Sequence, residues 1–394
     1  MQQKRVVHVC PFLHPRAGGP AILVPAYCSY LPELGWQVSV LTTDWYSPGG
    51  SDEIKNRYPD LDITVLETGD ARLRLLRGRD RETANYILGN ADVIHMHGLW
   101  HTLGWMVRKY SDQHAIPYVL SPHGMLDPYS MDVGKIKKRI YFGLVEKKNL
   151  QHAKRILYTT DAERDKITLP EVHRLKSEVI LLGSDDPPDQ SRTRLAEEFL
   201  CYYPLINGRK IILFFGRLHE KKGLHDVIAF LPDILEKVPD AMLLIVGDGE
   251  MDYINRINAD IMAAGIQEHV LFTGLLEGEE KWAALAAADV MVLPSRQENF
   301  ALAVAETMKM ETPVIISDKV DICACVKDAN AGMVLDIDDY DPWIDAIVEL
   351  LIDDNKRQMM GENSGKLARE AFTWSASTEK LAGVYNTVYE ENCL

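Results

Sequence analysis

The sequence lacks long apolar runs and has few cysteines. Nowhere in its 394 residues is there an apolar stretch of the ~18 residues that a membrane-spanning helix needs, and its first residues, MQQKRVVHVC, lack the apolar core of a secretory signal. The six cysteines are scattered and do not form the two close pairs typical of a zinc site. We therefore expect reduced thiols and a cytoplasmic protein.

Positive charge is also scarce. The chain has 43 lysines and arginines against 58 aspartates and glutamates, which gives a formal net charge of −15. Because nucleic-acid binding needs a basic face, we expect no nucleic-acid partner, although a small anion can still bind where cations gather in one cleft. The hydrophobic fraction of 46% is that of an ordinary globular protein, and the length predicts two to three domains.

Short apolar runs alternate with longer amphipathic stretches along the whole chain. Runs of four to eight residues rich in Val, Ile and Leu, each followed by a turn residue, are typical of strands buried on both faces of a parallel sheet. The predicted strands are Val6–Cys10, Val38–Thr43, Ile63–Glu67, Val93–Met96, Tyr118–Ser121, Ile156–Thr159, Val179–Leu182, Ile211–Phe215, Met242–Val246, Val270–Thr273, Val290–Leu293, Pro313–Ser317 and Met333–Leu335. Two such sets predict two doubly wound, Rossmann-like α/β domains.

The polar segment Gly183–Arg192, GSDDPPDQSR, lies between the two sets of strands and contains two prolines. It predicts a domain boundary, with an N-terminal domain over 1–185 and a second domain over 186–371. Ligands of open parallel sheets bind beyond the carboxyl ends of the strands. The residues that directly follow each strand are therefore the candidates for chemistry.

One candidate is the loop Gly216–Gly223, GRLHEKKG, which follows a strand and opens a helix. Arg217 offers a planar fork to phosphate oxygens and Lys222 a compact charge, and the helix start adds partial positive charge. This combination suits a diphosphate. A solvated loop with two surface cations is the alternative.

A second candidate follows strand Val290–Leu293. Glu298 comes directly after that strand, and Glu306 lies eight residues later on a predicted helix, Ala301–Met308. At ~1.5 Å of rise per helical residue, the two carboxylates are separated by about 10 Å, the span from the ribose to the hexose of a nucleotide sugar. Two unrelated surface glutamates are the alternative.

In the first half of the chain, glycines and histidines follow the strands. Gly18 and Gly19 allow close approach of a ligand to the backbone, but they do not form the dinucleotide-binding fingerprint. His95, His97 and His123 lie at strand ends, where an imidazole can donate to a sugar hydroxyl or pack as a satisfied core residue. We expect no metal at His95 and His97, because no nearby carboxylate or cysteine completes a ligand set.

The order of these motifs resembles the family-4 retaining glycosyltransferases of GT-B fold, of the bacterial polysaccharide or glycolipid type. The resemblance covers nearly the whole chain. It is carried by Gly18-Gly19, His123, Gly216-Arg217, Lys222-Gly223, Val246-Gly249, Phe272-Gly274, Asp289-Val290, Glu298 to Glu306 and Pro313-Val314. It implies two domains facing a cleft, with a closing helix over 372–394 that crosses back to the N-terminal domain.

The resemblance also implies a role for each matching residue. His123, Glu298, Arg217 and Lys222 are the implied catalytic residues, with His123 beside the sugar and the two cations on the diphosphate. The implied donor-binding residues are Gly18, Gly19, Gly216, Arg217, Lys222, Leu275 at the base, Glu298, Asn299, Phe300, Ala301, Leu302, and Glu306 at the ribose. His97, Trp100 and Met125 are candidates for the acceptor side.

The sequence departs from the family pattern at three places. Ala301 stands where the family usually has Gly, and Glu311 replaces the Gly before Pro-Val. The Asn-Gly-Val-Asp signature at the domain boundary is replaced by Leu182-Gly183-Ser184-Asp185. These changes concern the local backbone and the acceptor contacts more than donor binding, because the charged groups are all present.

The resemblance implies a retaining hexosyltransferase that uses a UDP- or GDP-sugar and a saccharide or lipid-linked saccharide acceptor. Cations in the donor site can replace a divalent metal, and no Asp-x-Asp motif follows a strand of the first domain, so we expect no metal and no other cofactor. A nucleotide-sugar epimerase on the same fold and a non-catalytic nucleotide-sugar-binding protein are the alternatives. A hydrolase would require two facing carboxylates.

The segment Lys135–Arg155, KIKKRIYFGLVEKKNLQHAKR, has eight Lys and Arg and one Glu in an otherwise acidic chain. Ile136, Ile140, Tyr141 and Leu144 can share one helical face. A basic amphipathic helix predicts peripheral contact with the anionic inner face of a cell membrane. A solvated helix packed on its own sheet is the alternative.

Overall fold

The computed structural model describes residues 3–11, 13–14, 18–45, 51–68 and 78–394. The chain divides into two compact units. Unit 1 comprises Met1–Gly183 together with Trp374–Leu394, and unit 2 comprises Ser184–Thr373.

Unit 1 is built on a parallel sheet of seven strands in the order β3-β2-β1-β4-β5-β6-β7. The strands are β1 Lys4–Val9, β2 Trp36–Thr43, β3 Ile63–Leu66, β4 Val93–His97, β5 Tyr118–Ser121, β6 Arg155–Tyr158 and β7 Ser177–Val179. The described helices before residue 184 are α1 Pro20–Tyr30, α2 Ser51–Arg57, α3 Gly78–Gly89, α4 Thr102–His114, α5 Pro128–Asp132, α6 Lys135–Tyr141, α7 Lys147–His152, α8 Asp161–Asp165 and α9 Pro170–His173. A π-helical segment, Phe142–Glu146, joins α6 to α7.

Unit 2 repeats this plan with six parallel strands in the order β10-β9-β8-β11-β12-β13. The strands are β8 Lys210–Phe215, β9 Ala241–Val246, β10 Val270–Gly274, β11 Val290–Leu293, β12 Val314–Ser317 and β13 Gly332–Leu335. Its helices are α10 Arg192–Tyr202, α11 Leu224–Lys237, α12 Met251–Ala264, α13 Gly278–Ala287, α14 Leu302–Lys309, α15 Cys323–Asp328, α16 Asp341–Ile352 and α17 Asp354–Ala371.

The last helix, α18 (Trp374–Cys393), belongs to unit 1. Its Tyr385 is fully buried, and the Ser377 hydroxyl lies 2.9 Å from the Tyr27 hydroxyl of α1. Arg155 of β6 donates to both carboxylate oxygens of Glu391, at 2.7 and 3.1 Å. These contacts hold the end of the chain against the first sheet.

The predicted fold class is confirmed: both sheets are parallel, and each predicted strand overlaps an observed one. The central strands are buried on both faces, which explains their continuous apolar sequences. In each sheet the strand order reverses at one point, between β1 and β4 in unit 1 and between β8 and β11 in unit 2. Such switch points are where ligands of open sheets bind.

Candidate functional sites at the two switch points

In unit 2, the loops after β8 and β11 pack directly against each other. Gly223 has a φ of +75°, and a Cβ on it would lie 2.1 Å from the carbonyl oxygen of Pro294. Only glycine fits this close contact, since both the space and the left-handed backbone exclude a side chain. The Ser295 hydroxyl donates to the Lys221 carbonyl at 3.0 Å and fixes the same two loops together.

This packing brings together the predicted cation and carboxylate. The Lys222 ammonium nitrogen lies 2.7 Å from Glu298 Oε2, and both side chains are mostly shielded from solvent. The contact is a close, largely buried ion pair, and Lys222 helps to hold the carboxylate in its charged form. Gly216 borders the pair, because a Cβ built on it would lie 3.4 Å from the Lys222 nitrogen.

The surrounding charges keep Glu298 ionised. Burial raises the pKa of its carboxyl, but Lys222, Lys221 and Arg217 together outweigh burial and leave the pKa below its ordinary value. Arg217 itself is exposed. It makes the smallest of the three contributions that lower the pKa of Glu298.

The start of helix α14 lies beside this pair. Ala301 precedes the helix with a φ of +58°, a left-handed conformation that glycine adopts more readily. Phe300 is buried with its ring 5.1 Å from that of Phe372, whereas Asn299 and Leu302 are partly exposed. The unpaired N–H groups of a first helical turn would face an anion bound here.

Glu306 is buried farther along α14 and is paired with a lysine. Lys281 of α13 donates to its Oε1 at 2.8 Å. Burial raises the Glu306 pKa, and Lys281 only partly offsets this effect. Sequence reasoning missed Lys281, because it lies 25 residues away on a separate helix and belongs to no motif. Leu275, predicted at the base, is exposed.

A second group missed by sequence reasoning supports the loop before Glu298. Asp226 of α11 is buried and accepts two hydrogen bonds from the Arg296 guanidinium, at 2.7 and 3.1 Å. The Tyr340 hydroxyl donates to the same carboxylate at 2.6 Å. Asp226 and Tyr340 are 114 residues apart, so no local spacing could reveal the contact.

In unit 1, the predicted histidines cluster at the reversal of strand order. His95 and His97 end β4 and are buried, and His123 follows β5 with a φ of +53°. His97 Nδ1 lies 3.0 Å from His123 Nε2. His8 of β1 joins them, with Nδ1 2.9 Å from His97 Nε2. Sequence reasoning missed His8, although β1 pairs with β4 in a register that aligns His8 with His95.

Burial keeps these imidazoles neutral. It lowers the pKa of His8 to about 3 and that of His123 to about 4, and it holds the pKa values of His95 and His97 well below the ordinary range. His8, His95 and His97 each place one ring nitrogen within 4.8 Å of the others. The sequence shows no carboxylate or cysteine near His95 and His97 to complete a ligand set, but the fold brings a third histidine, His8, from another strand.

The remaining predicted residues of unit 1 lie around this cluster. Trp100 has a φ of +65°, and its backbone N–H donates to Glu146 Oε1 at 2.7 Å. The Met125 sulfur lies 3.1 Å from the Leu99 nitrogen. Burial raises the pKa of Glu146 to about 7. Gly18 and Gly19 directly precede helix α1, and a Cβ built on either would meet no atom within 4 Å.

The basic segment 135–155 exposes an apolar face. Ile136, Ile140 and Leu144, at four-residue intervals, are 74%, 58% and 70% exposed. Tyr141 does not share this exposure, because its ring contacts that of Trp100. Within the described part of the chain, no helix is both long enough and apolar enough to cross a bilayer.

Two family matches cover most of the chain. Residues 18–183 match the family described as a glycosyl transferase 4-like domain, and residues 203–367 match glycosyl transferases group 1. The second range contains both strands of the unit 2 switch point, β8 and β11, and the first contains β4 of the unit 1 switch point but begins after β1.

Individual relatives agree with the family matches. The chain is 28% identical over 249 residues to an alpha-D-kanosaminyltransferase of Streptomyces kanamyceticus, which covers 62% of this chain and 63% of that protein. It is 31% identical over 191 residues to a phosphatidyl-myo-inositol mannosyltransferase of Mycobacterium leprae, 48% of this chain and 49% of the relative. The matched region thus spans less than two thirds of either relative.

A solved structure matches the whole fold. The Anabaena protein HepE, in complex with UDP-glucose, superposes with a TM-score of 0.78 at 16% identity, over 97% of this chain and 99% of that one.

Proposed function

Because this chain belongs to the glycosyltransferases of GT-B fold and family-4 type, and so transfers a sugar from a nucleotide sugar, we propose that it is a retaining, metal-independent hexosyltransferase. Its donor is a UDP- or GDP-sugar. Its acceptor is a saccharide or a lipid-linked saccharide. Unit 2 binds the donor, and the histidine-bearing strand ends of unit 1 supply the acceptor-side residues His97, Trp100 and Met125.

The observation that carries the proposal is the ion pair between Lys222 and Glu298 beside the start of α14. Charge develops on the leaving diphosphate during transfer, and preorganised cations stabilise it by a few kcal/mol for each donor group. Lys222 and Arg217 supply such cations. The buried, ionised Glu298 carboxylate, held beside Lys222, is suited to accept a hexose hydroxyl.

Metal independence is supported by the same charges. A divalent ion bound to a diphosphate neutralises the negative charge that develops on the departing oxygens. Arg217, Lys222 and the start of α14 can supply the same positive charge here. We expect turnover to be unchanged by a chelator. Loss of activity in EDTA, restored by Mg²⁺ or Mn²⁺, would contradict this part of the proposal.

Retention is supported by the resemblance to the retaining glycosyltransferases, whose donor-site residues Arg217, Lys222 and Glu298 match here. The Lys222–Glu298 ion pair places a cation where it can stabilise the charge of the leaving diphosphate. The leaving diphosphate itself can then guide the acceptor to the same face of the sugar. The anomeric configuration of the product, measured by NMR, tests this: an inverted product refutes retention.

A lipid-linked acceptor is supported by the exposed face Ile136–Ile140–Leu144 within a segment rich in lysine and arginine. Exposed apolar side chains bordered by cations favour an interface with anionic lipid. The relative named for a phosphatidylinositol acceptor agrees with such a substrate. Flotation with phosphatidylglycerol vesicles should carry the protein upward, and I140D should abolish this, while Y202D, at an exposed site of unit 2, should not.

The decisive experiment is a hydrolysis screen of UDP- and GDP-sugars with the purified protein. Slow release of nucleotide from one donor is expected, and R217A should lose it. R194A is the matched control, because Arg194 is an exposed arginine that pairs with Glu198 one helical turn away. An equal loss in both variants, or recovery of an epimerised donor, would refute the proposal.

A further inference from the structure

Six side chains of unit 1 form one continuous hydrogen-bonded chain. It runs from His123 through His97 and His8 to the Tyr385 hydroxyl, and from there through His95 to Ser121. The successive distances are 3.0, 2.9, 3.4, 2.6 and 2.8 Å. All members except His123 are buried. These hydrogen bonds link His123, a residue of the proposed site, to Tyr385 of helix α18.

Each internal histidine in the chain uses both ring nitrogens. A neutral imidazole has one N–H donor and one acceptor nitrogen, so the direction of one bond dictates the direction of the next. Burial holds the imidazoles neutral. If the Tyr385 hydroxyl donates to one of its two histidine neighbours, the hydrogen-bonded series has two ordered states, and the direction of that one bond selects between them.

The shortest contact supplies that direction. Tyr385 Oη lies 2.6 Å from His95 Nδ1, a distance typical of an O–H donor and short for a ring N–H donor. Tyr385 thus donates to His95, which donates through Nε2 to Ser121. Since its single proton is used, the phenol oxygen accepts from His8 Nε2–H.

The remaining protons follow in order. With its proton on Nε2, His8 accepts at Nδ1 from His97 Nε2–H. His97 then accepts at Nδ1 from His123 Nε2–H. This leaves His123 Nδ1 unprotonated, and among the described residues it has no hydrogen-bond partner.

We propose that Tyr385, acting through His8 and His97, holds His123 in the Nε2–H tautomer and thereby makes its Nδ1 an acceptor for a sugar hydroxyl. Tyr385, His8 and His97 are positioning residues. The hydroxyl-binding part of this inference rests on the proposed function, whereas the tautomer does not.

A metal ion at His8, His95 and His97 is the competing use of these residues. The distances are short enough for it, but the cluster contains only imidazoles, and their ring nitrogens already face one another or a hydroxyl. The hydrogen-bonded chain accounts for every one of these contacts without a metal. Metal analysis of the purified protein therefore belongs to the test.

The test is ¹⁵N NMR of protein labelled in its histidines, which separates protonated from unprotonated ring nitrogens. In the unmodified protein, His123 should be protonated at Nε2 and not at Nδ1. In Y385F, His8 Nε2–H would face a phenyl ring, so we expect its proton at Nδ1 and the tautomers of His97 and His123 to reverse with it. Y389F removes a hydroxyl one turn along the same helix, away from the histidines, and should reverse none of them.

Kinetics separate positioning from folding. Y385F should lower kcat for donor hydrolysis about tenfold, the loss expected for one hydrogen bond, with the donor KM changed less than twofold and with Y389F unaffected. The wild-type spectrum requires no variant and therefore survives a folding defect in Y385F. Protonated Nδ1 on His123, unchanged tautomers in Y385F, or stoichiometric zinc with perturbed His8, His95 and His97 signals would overturn the inference. A protein that hydrolyses no donor, yet has the expected tautomers, would overturn the proposed function alone.

Discussion

The buried histidines of unit 1 should make its stability fall steeply below neutral pH. His8, His95, His97 and His123 all have folded-state pKa values far below the unfolded value of about 6.5. Between about pH 6.5 and 4 the unfolded state binds protons that the folded state does not. Stability is therefore fully present above pH 6.5 and is lost as the pH falls through this window.

Glu146 acts in the opposite direction. Its folded pKa of about 7 lies above its unfolded value, so between about pH 4.5 and 7 the folded state holds one extra proton. Four histidines against one glutamate leave a net uptake of about three protons on unfolding near pH 5.5. At about 1.4 kcal/mol per proton and pH unit, unit 1 should lose about 4 kcal/mol for each unit of acidification.

Peptide-resolved hydrogen exchange measures the opening free energy of each unit separately between pH 5 and 7. Peptides from β1 and β4 report on unit 1. Peptides from β8 and β9 report on unit 2. There the lowered pKa of His219 and the raised pKa of Glu306 have opposite effects on the pH dependence of stability, so we expect a smaller slope. H8Q should reduce the slope of unit 1 by about one proton, whereas H114Q, at an exposed site, should not. A slope below one proton in unit 1 would refute the neutral histidine cluster.

Three substitutions test the geometry of unit 2. K222M should abolish donor hydrolysis and lower the free energy of unfolding by about 3 kcal/mol, because it leaves the buried Glu298 carboxylate without its closest cation. In urea unfolding, the loss of stability relative to wild type should be larger at pH 8 than at pH 5. G223A should cost more than 3 kcal/mol through collision with the Pro294 carbonyl, and unchanged thermal stability would contradict the described contact. A301G should be neutral or stabilising by up to about 1 kcal/mol in the same assay, since it relieves a left-handed φ; destabilisation above 1 kcal/mol would contradict that strain.

The sequence predicted well those features that depend on neighbouring residues. Each strand is a short apolar run with a turn behind it, so its position follows from local composition. Arg217, Lys222 and Glu298 were chosen for the same reason, because each lies in the loop that follows a strand. Parallel sheets place such loops at one edge, so their proximity is a consequence of the fold class, whereas the ion pair between Lys222 and Glu298 was not predicted.

Contacts set by strand register and helix packing could not be predicted in this way. His8 meets His97 only because β1 lies beside β4, 89 residues away in the sequence. Tyr385 reaches the same cluster from α18 because that helix packs on unit 1. In both cases the chemical group is visible in the sequence, but its partner depends on the tertiary fold.

The departures from the family pattern have a physical explanation in the backbone. Ala301 and Glu311 both stand where the family has glycine, and both have a left-handed φ, +58° and +57°. Both residues therefore adopt a left-handed backbone conformation that glycine adopts more readily, which costs stability of the order of 1 kcal/mol per residue. Glu311 recovers part of that cost through the exposed ion pair of its Oε1 with Arg369, at 3.0 Å. The sequence difference thus changes the residue and leaves the path of the backbone intact.

The two switch points use opposite electrostatic devices. Unit 2 concentrates charge, with cations around an ionised Glu298, whereas unit 1 excludes charge and orders protons among neutral imidazoles. Charge stabilises a leaving diphosphate but gives little directional preference, and a fixed tautomer recognises the direction of a hydroxyl without binding an anion. Under the proposed function, neither unit could use the electrostatics of the other. A protonated His123 would offer no acceptor to the sugar, and a neutral residue in place of Lys222 would leave the diphosphate unstabilised. Acidification and K222M should therefore both reduce turnover, the first by protonating His123 and the second without changing the histidine tautomers of unit 1.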